Sequence, residues 1–321
     1  MTRAAILSAA LLASACAHAP REAAVVPSPG TPPTMPAVPA GMQYLYGSAE
    51  ASALSIQAYN AMVAYVRDTL DAARDRAGRL PNQRAPGTLP RWPASAILAP
   101  GSTAASASAL PCGAARPAAV VFDMDETLVL NLGYESNDAR TGAGYDPKRW
   151  DAWERTGAGR VIAVPGAITA FRQFRAMGVT IIVNTNRNAA NAEFTEQALA
   201  NAGLGRFRHG ETLFLKGDVD GKSGKDARRW EIAKNYCVLA LGGDQLGDFA
   251  DLFNPPGQAP ALGRRMLPGT TPLVQRWGRG WFVLPNPAYG TGLGADWDET
   301  FPVEKRWSPP ANDPENHKET N

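Results

Sequence analysis

Ala118-Ala-Val-Val-Phe-Asp-Met-Asp-Glu-Thr-Leu-Val-Leu130 decides the fold of this 321-residue chain. Its first five residues, Ala118 to Phe122, form an apolar run with the length and β-branched content of a buried parallel strand. Two carboxylates follow, Asp123 and Asp125, and the chain turns apolar again at once. Side chains at a strand end splay into the crevice beyond it, and open α/β sheets bind ligands outside the carboxyl ends of their strands. Two acids there can share a hard cation and one reacting group. Taken alone, the stretch reads equally well as a solvated acidic turn, because D-x-D is a short pattern.

Outward from this stretch, strands and helices alternate. Apolar runs at Val179–Val183, Thr212–Leu215, Cys237–Leu241 and Gly280–Leu284 read as four more strands. Helical patterns fall between them: Pro165–Met177, stopped by Gly178; Asn188–Ala202, stopped by Gly203; and a helix entered through Lys222–Arg229. Upstream, Tyr44–Arg74 places Leu54, Ala58, Met62, Val63, Val66 and Leu70 at helical spacing and predicts one long amphipathic helix. Residues 131–160 are polar and aromatic and predict a loop with a short helix over the crevice. The fold class expected is therefore α/β, a doubly wound and mostly parallel sheet with a small cap and an N-terminal helix. The domain is expected to span 42–297, followed by a polar tail at 298–321.

Composition limits the function classes. The chain is 45% hydrophobic and 19% charged, with a formal net charge of +2 and no basic stripe, so polymeric nucleic acid is not an expected partner. Residues 1–16 join a positive start to a short apolar segment that is too short for a membrane span and fits a secretory signal. The small residues before Cys16 resemble the lipobox of bacterial lipoproteins, which makes Cys16 the expected lipidation site. Ala17, in place of an acidic residue, points to the outer membrane; periplasmic or secreted protein is the other expectation. Residues 17–41 read as a Pro/Ala-rich disordered tether. The remaining cysteines, Cys112 and Cys237, read as a disulfide permitted by an oxidising compartment or as two free buried thiols.

The strand ends bring a chemical set together: Asp123 and Asp125, then Thr185 and Arg187, then Lys225, then Asp244, Asp248 and Asp251. Carboxylates, a hydroxyl and a lysine suit a phosphoryl group. The order D-x-D-E-T, T-N-R, S-x-K and G-D-x-x-x-D resembles the haloacid dehalogenase superfamily. Tyr46–Ala51, Thr185–Arg187, Ser223–Arg229, Gly243–Phe249 and Leu284–Gly290 narrow that resemblance. It points to the bacterial lipoprotein acid phosphatases, 5′-nucleotidases of the outer membrane (subfamily IIIB), related to plant acid phosphatases and vegetative storage proteins. It covers roughly 43–294.

The resemblance implies a haloacid dehalogenase-like Rossmannoid core and a metal-dependent phosphomonoesterase. Asp123 would be the nucleophile, and Asp125 the general acid and then the base. One Mg²⁺ per site would be held by Asp123, the Asp125 backbone carbonyl and Asp244. Thr185, Asn186 and Lys225 would bind the phosphoryl group, with Lys225 favoured over Lys222. Asp248 would steady the metal's waters or Lys225, and Glu126 and Thr127 would shape the turn. Gln245 stands where the family more often has Asn and belongs to the metal's surroundings. Trp150 and Tyr289 are the expected aromatic contacts to substrate, and Trp153 is read as core. Asp251 reads as a solvated helix-start acid and His209 as a surface residue, while Arg187 reads equally as a member of the phosphoryl set or as a structural ion-pair partner. The implied substrates are nucleoside 5′-monophosphates and other small phosphomonoesters. Membrane contact would run only through the lipid anchor, with a homodimer left open. Two other readings are a phosphotransferase to alcohol acceptors and a non-catalytic binding or storage protein on the same fold.

Overall fold

A computed structural model describes residues 36–78, 94–112, 116–254 and 261–309. The expected signal segment with Cys16, the first part of the expected tether, His18 and His317 lie outside the described residues. No helix among the described residues is long and apolar enough to cross a membrane.

Five parallel strands form the sheet: β1 (Ala118–Phe122), β4 (Thr180–Asn188), β5 (Leu213–Lys216), β6 (Cys237–Gly243) and β7 (Trp281–Val283), in the order β5-β4-β1-β6-β7. The opening stretch supplies the central strand. Every residue of β1 is buried, as its unbroken apolar run requires. Its side chains alternate between the two faces. Val120 and Phe122 join one core cluster with Phe171, Phe174 and Leu199, while Ala119 and Val121 join the other with Ile232, Phe249 and Trp281. This is the doubly wound α/β architecture the alternating pattern predicts.

The helix expected at 44–74 is two helices, α1 (Ala40–Gly47) and α2 (Ala49–Gly78). Ser48 breaks it: its extended backbone ends α1, and its Oγ accepts a 3.0 Å hydrogen bond from Ala51 N to cap α2. Tyr59, Met62, Val63, Val66 and Leu70 of α2 are buried, but Leu54 is exposed and lies off the packed stripe. Gly166 (φ 94°) turns the chain into α5 (Ala167–Ala176); a Cβ there would sit 3.1 Å from Ile56 Cα of α2.

The cap is more helical than its sequence suggests. The ribbon β2 (Val129–Leu130) and β3 (Ile162–Ala163) carries two helices between its strands, α3 (Leu132–Thr141) and α4 (Pro147–Thr156). Gly142 in the left-handed region ends α3, and Asp146 caps α4 by accepting from Arg149 N at 2.7 Å, with Pro147 in the first turn. After β4 come α6 (Ala192–Asn201), then β5, then α7 (Asp226–Asn235). At the amino ends of β1 and β6, Cys112 and Cys237 form a disulfide with a Cα–Cα distance of 4.8 Å. Beyond Asp298, the described residues include part of a helical turn, Trp297–Thr300, capped by Asp296.

Candidate active site

Parallel strands deliver their ends to one edge, and the polar residues singled out above meet there. They line a cavity of about 740 Å³ that includes Asp123, Asp125, Thr185, Asn186, Lys225, Asp244, Asp248 and Tyr289. Asp123 follows the last residue of β1, with its N–H donating to Gly242 O at 3.0 Å. Lys225 Nζ lies 2.6 Å from Asp123 Oδ1 and 2.7 Å from Asp248 Oδ1, joining the ends of β1 and β6 through one ammonium. Lys222, the competing lysine, is exposed.

Asp125 is oriented by a fork. Arg187 Nε and Nη2 donate to its Oδ1 at 3.0 and 2.7 Å, and Asn131 Nδ2 donates to the same oxygen at 2.9 Å. Arg187 is therefore the ion-pair partner, 1% exposed and reaching back from β4. That strand runs on to Asn188, so Thr185 and Arg187 stand within it and not beyond it.

Asp244 has donors on both oxygens. Thr127 Oγ1 donates to Oδ1 at 2.8 Å; Asn286 Nδ2 and Gln245 Nε2 donate to Oδ2 at 2.8 and 3.0 Å. Asp248 accepts from Gln245 N at 2.8 Å through Oδ2. Gly243 permits this approach: a Cβ there would meet Asp248 Cβ at 2.2 Å.

Burial, above all, pushes the Asp123 carboxyl well above the ordinary range; Asp248 and Asp244 add to the rise and Lys225 opposes it. Burial and then Asp248 push Asp244 up to about 7. Such crowding favours a cation. Asp123, Asp244 and Asp248 each present a carboxylate oxygen, all within 4.8 Å of one another, and the carboxylate oxygens are hard donors suited to a divalent metal. Asp244 Oδ1 accepts one hydrogen bond, from Thr127, so it keeps a lone pair for such an ion, and the set fits one.

Glu126 is the surprise of the turn. It sits at φ 53° and is 1% exposed. Asn131 N donates to its Oε1 at 2.8 Å, Tyr46 OH donates to the same oxygen at 3.2 Å, and Tyr289 OH donates to Oε2. Burial, then Asp125, raise its carboxyl to about 8. Tyr289 thus borders the cavity while its hydroxyl is held from behind. Trp150 also lines the cavity, edge-on to Tyr134 (84°) and 5.7 Å from the Arg187 guanidinium. Trp153 is buried, with Nε1 donating to Asn131 Oδ1 at 2.9 Å.

Asp251 departs from its reading as a solvated acid. Its carboxylate accepts from Lys225 N at 2.8 Å and Asp226 N at 3.0 Å, and pairs with Arg229 at 3.1 Å. It caps α7, a helix other than its own, because the first N–H groups of any helix need acceptors. His209 is exposed, as read, and lies 2.7 Å from Asp218 Oδ1.

Sequence reasoning assigned no role to Asn131, Asn286, Tyr46, Glu135 or Arg228. Asn131 follows β2 and touches Asp125, Glu126, Arg187 and Trp153. Asn286 had a usable signal: it is the first polar residue after β7, three positions past the strand end.

Residues 101–292 match the family described as HAD superfamily, subfamily IIIB (acid phosphatase). The fold is similar to two structures of the class C acid phosphatase from Bacillus anthracis. With tungstate bound, that protein gives a TM-score of 0.56 at 23% identity over 82% of this chain and 89% of its own; the second structure gives 0.56 at 24% over 79% and 86%. Acid phosphatase 1 of Solanum lycopersicum is 26% identical over 133 residues, 40% of this chain. The chain spans half the length of that curated relative. The match of the family over more than half of the sequence, on a five-stranded core of the expected topology, places the chain: it belongs to the subfamily IIIB acid phosphatases of the HAD superfamily.

Proposed function

We propose that this protein is a metal-dependent acid phosphomonoesterase that works through an aspartyl-phosphate on Asp123. The observation that carries the reading is the setting of Asp123: a carboxylate just past the end of the central strand that lines the cavity, with the Lys225 ammonium 2.6 Å from its Oδ1 and Asp244 beside it. A carboxylate placed next to a cation that can neutralise phosphoryl oxygens is suited to attack phosphorus.

In this reading Asp123 Oδ bonds to phosphorus as the bond to the leaving oxygen breaks, and Asp125 gives that oxygen its proton. Asp125 then takes a proton from water, whose oxygen displaces Asp123 and releases inorganic phosphate. The Arg187 and Asn131 contacts keep the Asp125 carboxylate facing the cavity through both steps. Thr185, Asn186 and Lys225 hold the phosphoryl oxygens. A Mg²⁺ ion on Asp123, Asp244 and the Asp125 carbonyl would supply charge neutralisation for those oxygens. Asp248 pairs with Lys225 and accepts from Gln245 N, and so would steady the residues around such an ion.

The cavity volume and its aromatic walls, Trp150 and Tyr289, support substrates with small aromatic leaving groups, nucleoside 5′-monophosphates among them. Lipidation at Cys16 would hold the domain at the outer membrane. Asp123→Asn tests the reading. Turnover of a phosphomonoester falls by about 10³-fold or more while circular dichroism is unchanged, and chelation removes wild-type activity reversibly. Near-normal turnover by the variant would overturn it.

A further inference from the structure

Four cations are buried around the phosphoryl end of the cavity, and three of them face carboxylates. Arg187 pairs with Asp125, Lys225 with Asp123 and Asp248, and Arg229 with Asp226 and Asp251. Arg228, on α7, is the exception. It is 1% exposed, and among the described residues no carboxylate lies within ion-pair distance of it. Its acceptors are uncharged: Thr185 O on Nη1, and Asn186 Oδ1 at 2.5 Å and Gly224 O at 3.3 Å on Nη2. Burying a guanidinium without a counter-charge is costly, and burial draws its pKa below the ordinary value. Among charged neighbours, Asp123 acts on it most strongly.

What Arg228 holds is informative. A carboxamide has one oxygen acceptor and one NH₂ donor, whereas a guanidinium only donates. The contact therefore fixes the Asn186 oxygen toward Arg228. It leaves Nδ2 without a protein partner among the described residues, on a side chain that lines the cavity. The second contact acts on the backbone. The C=O and N–H of one trans peptide point opposite ways, so holding Thr185 O turns the Asn186 N–H away from the guanidinium.

We propose that Arg228 is a positioning residue for anion binding: it aims the Asn186 carboxamide and the Thr185–Asn186 peptide as donors into the phosphoryl pocket and leaves its own unpaired positive charge behind them. The partner that this guanidinium lacks in the folded protein is then supplied by the ligand, a phosphate or a phosphoryl group. This inference rests on the phosphatase reading, and it adds what aims the donors of the anion site.

The test uses inorganic phosphate as probe and the full chain, with affinity read by titration calorimetry and stability by thermal unfolding without ligand. Arg228→Gln weakens phosphate binding by about tenfold or more, the loss of charge-assisted contacts. Ligand-free stability falls little or rises, since a buried unpaired charge has gone. Arg228→Lys recovers part of the affinity, as a point charge without the fork. Asn186→Asp, at an exposed position, keeps the fold: the new carboxylate pairs with Arg228, cancels the spare charge and removes the donor, so it weakens phosphate binding more than Asn186→Ala does. A folded Arg228→Gln variant within twofold of wild-type affinity would overturn the assignment, and so would Asn186→Asp binding as well as Asn186→Ala. Wild-type hydrolysis is recorded alongside. Its absence overturns the phosphatase reading, whereas hydrolysis with unchanged phosphate affinity in Arg228→Gln overturns the role of Arg228 alone.

Discussion

β1 and β6 lie side by side from end to end, yet their two ends are held by different chemistry. At the amino ends the Cys112–Cys237 disulfide joins two buried positions, and Cys237 N donates to Pro117 O at 2.9 Å. At the carboxyl ends Asp123, Asp244 and Asp248 crowd together, and Lys225 bridges two of them. One end is closed by a covalent bond that asks nothing of charge. The other concentrates like charges that burial drives toward protonation. The pinned end stabilises the frame that holds these like charges together at the other end. Stability and chemistry should therefore separate along the length of two strands.

Asp125→Asn is expected to give the largest effect. At the carboxyl end it removes proton transfer, for about 10²- to 10⁴-fold in turnover. It also strips Arg187 of its buried counter-charge, for about 3 kcal/mol of stability. Turnover per folded molecule within tenfold of wild type would break the comparison. The double variant Cys112→Ser/Cys237→Ser comes next. It frees a 125-residue separation in the unfolded chain and is expected to lower stability by about 2–5 kcal/mol. Steady-state kinetics of the molecules that stay folded should match wild type, and a large drop in their kcat would mean the two ends are not separable.

The smallest effect belongs to the cap. Glu135 is 5% exposed, lines the cavity, and is raised from 4.5 to about 7 by burial first, then Asp138 and Asp125, against Arg149. Such a carboxyl holds its proton more tightly folded than unfolded. Its contribution to stability is present below pH 4.5 and is lost as pH climbs through about 7. Glu135→Gln removes that loss. Its unfolding free energy should equal wild type near pH 4 and exceed it near pH 8, by on the order of 1 kcal/mol after solvent screening. An equal offset at both pH values would show that the cap does not share the buried-charge character of the strand ends it covers.

The sheet was legible because its signal is local. Ala118–Phe122 is an unbroken apolar run, and residues placed just past such runs must meet at one edge once the strands are parallel. That logic located Asp123, Thr185 and Asp244. It failed where polarity continues a regular element: Asn184–Asn188 reads as loop but belongs to β4, held by pairing with β5. It failed again for α3, whose mean character is polar because its packed face is narrow. The contacts of Tyr46, Asn286 and Arg228 bridge 80, 42 and 43 positions, and a lone polar residue at such distances leaves no period to detect. Asp251 does start a helical turn, as read, but its capping contacts escaped for the same reason: its partners are the N–H groups of Lys225 and Asp226, 26 and 25 residues earlier.

Glu126 carries a consequence in time. Its carboxylate takes one hydroxyl from Tyr46, 80 positions before it, and another from Tyr289, 163 positions after it. The turn bearing Asp123 and Asp125 is thus finished only when both flanks of the chain are present. A polypeptide that is still emerging, or is cut short of Tyr289, already contains every acid of the centre but lacks the latch that seats them. Activity should therefore switch on late, after the last strand and the loop that follows it have been made.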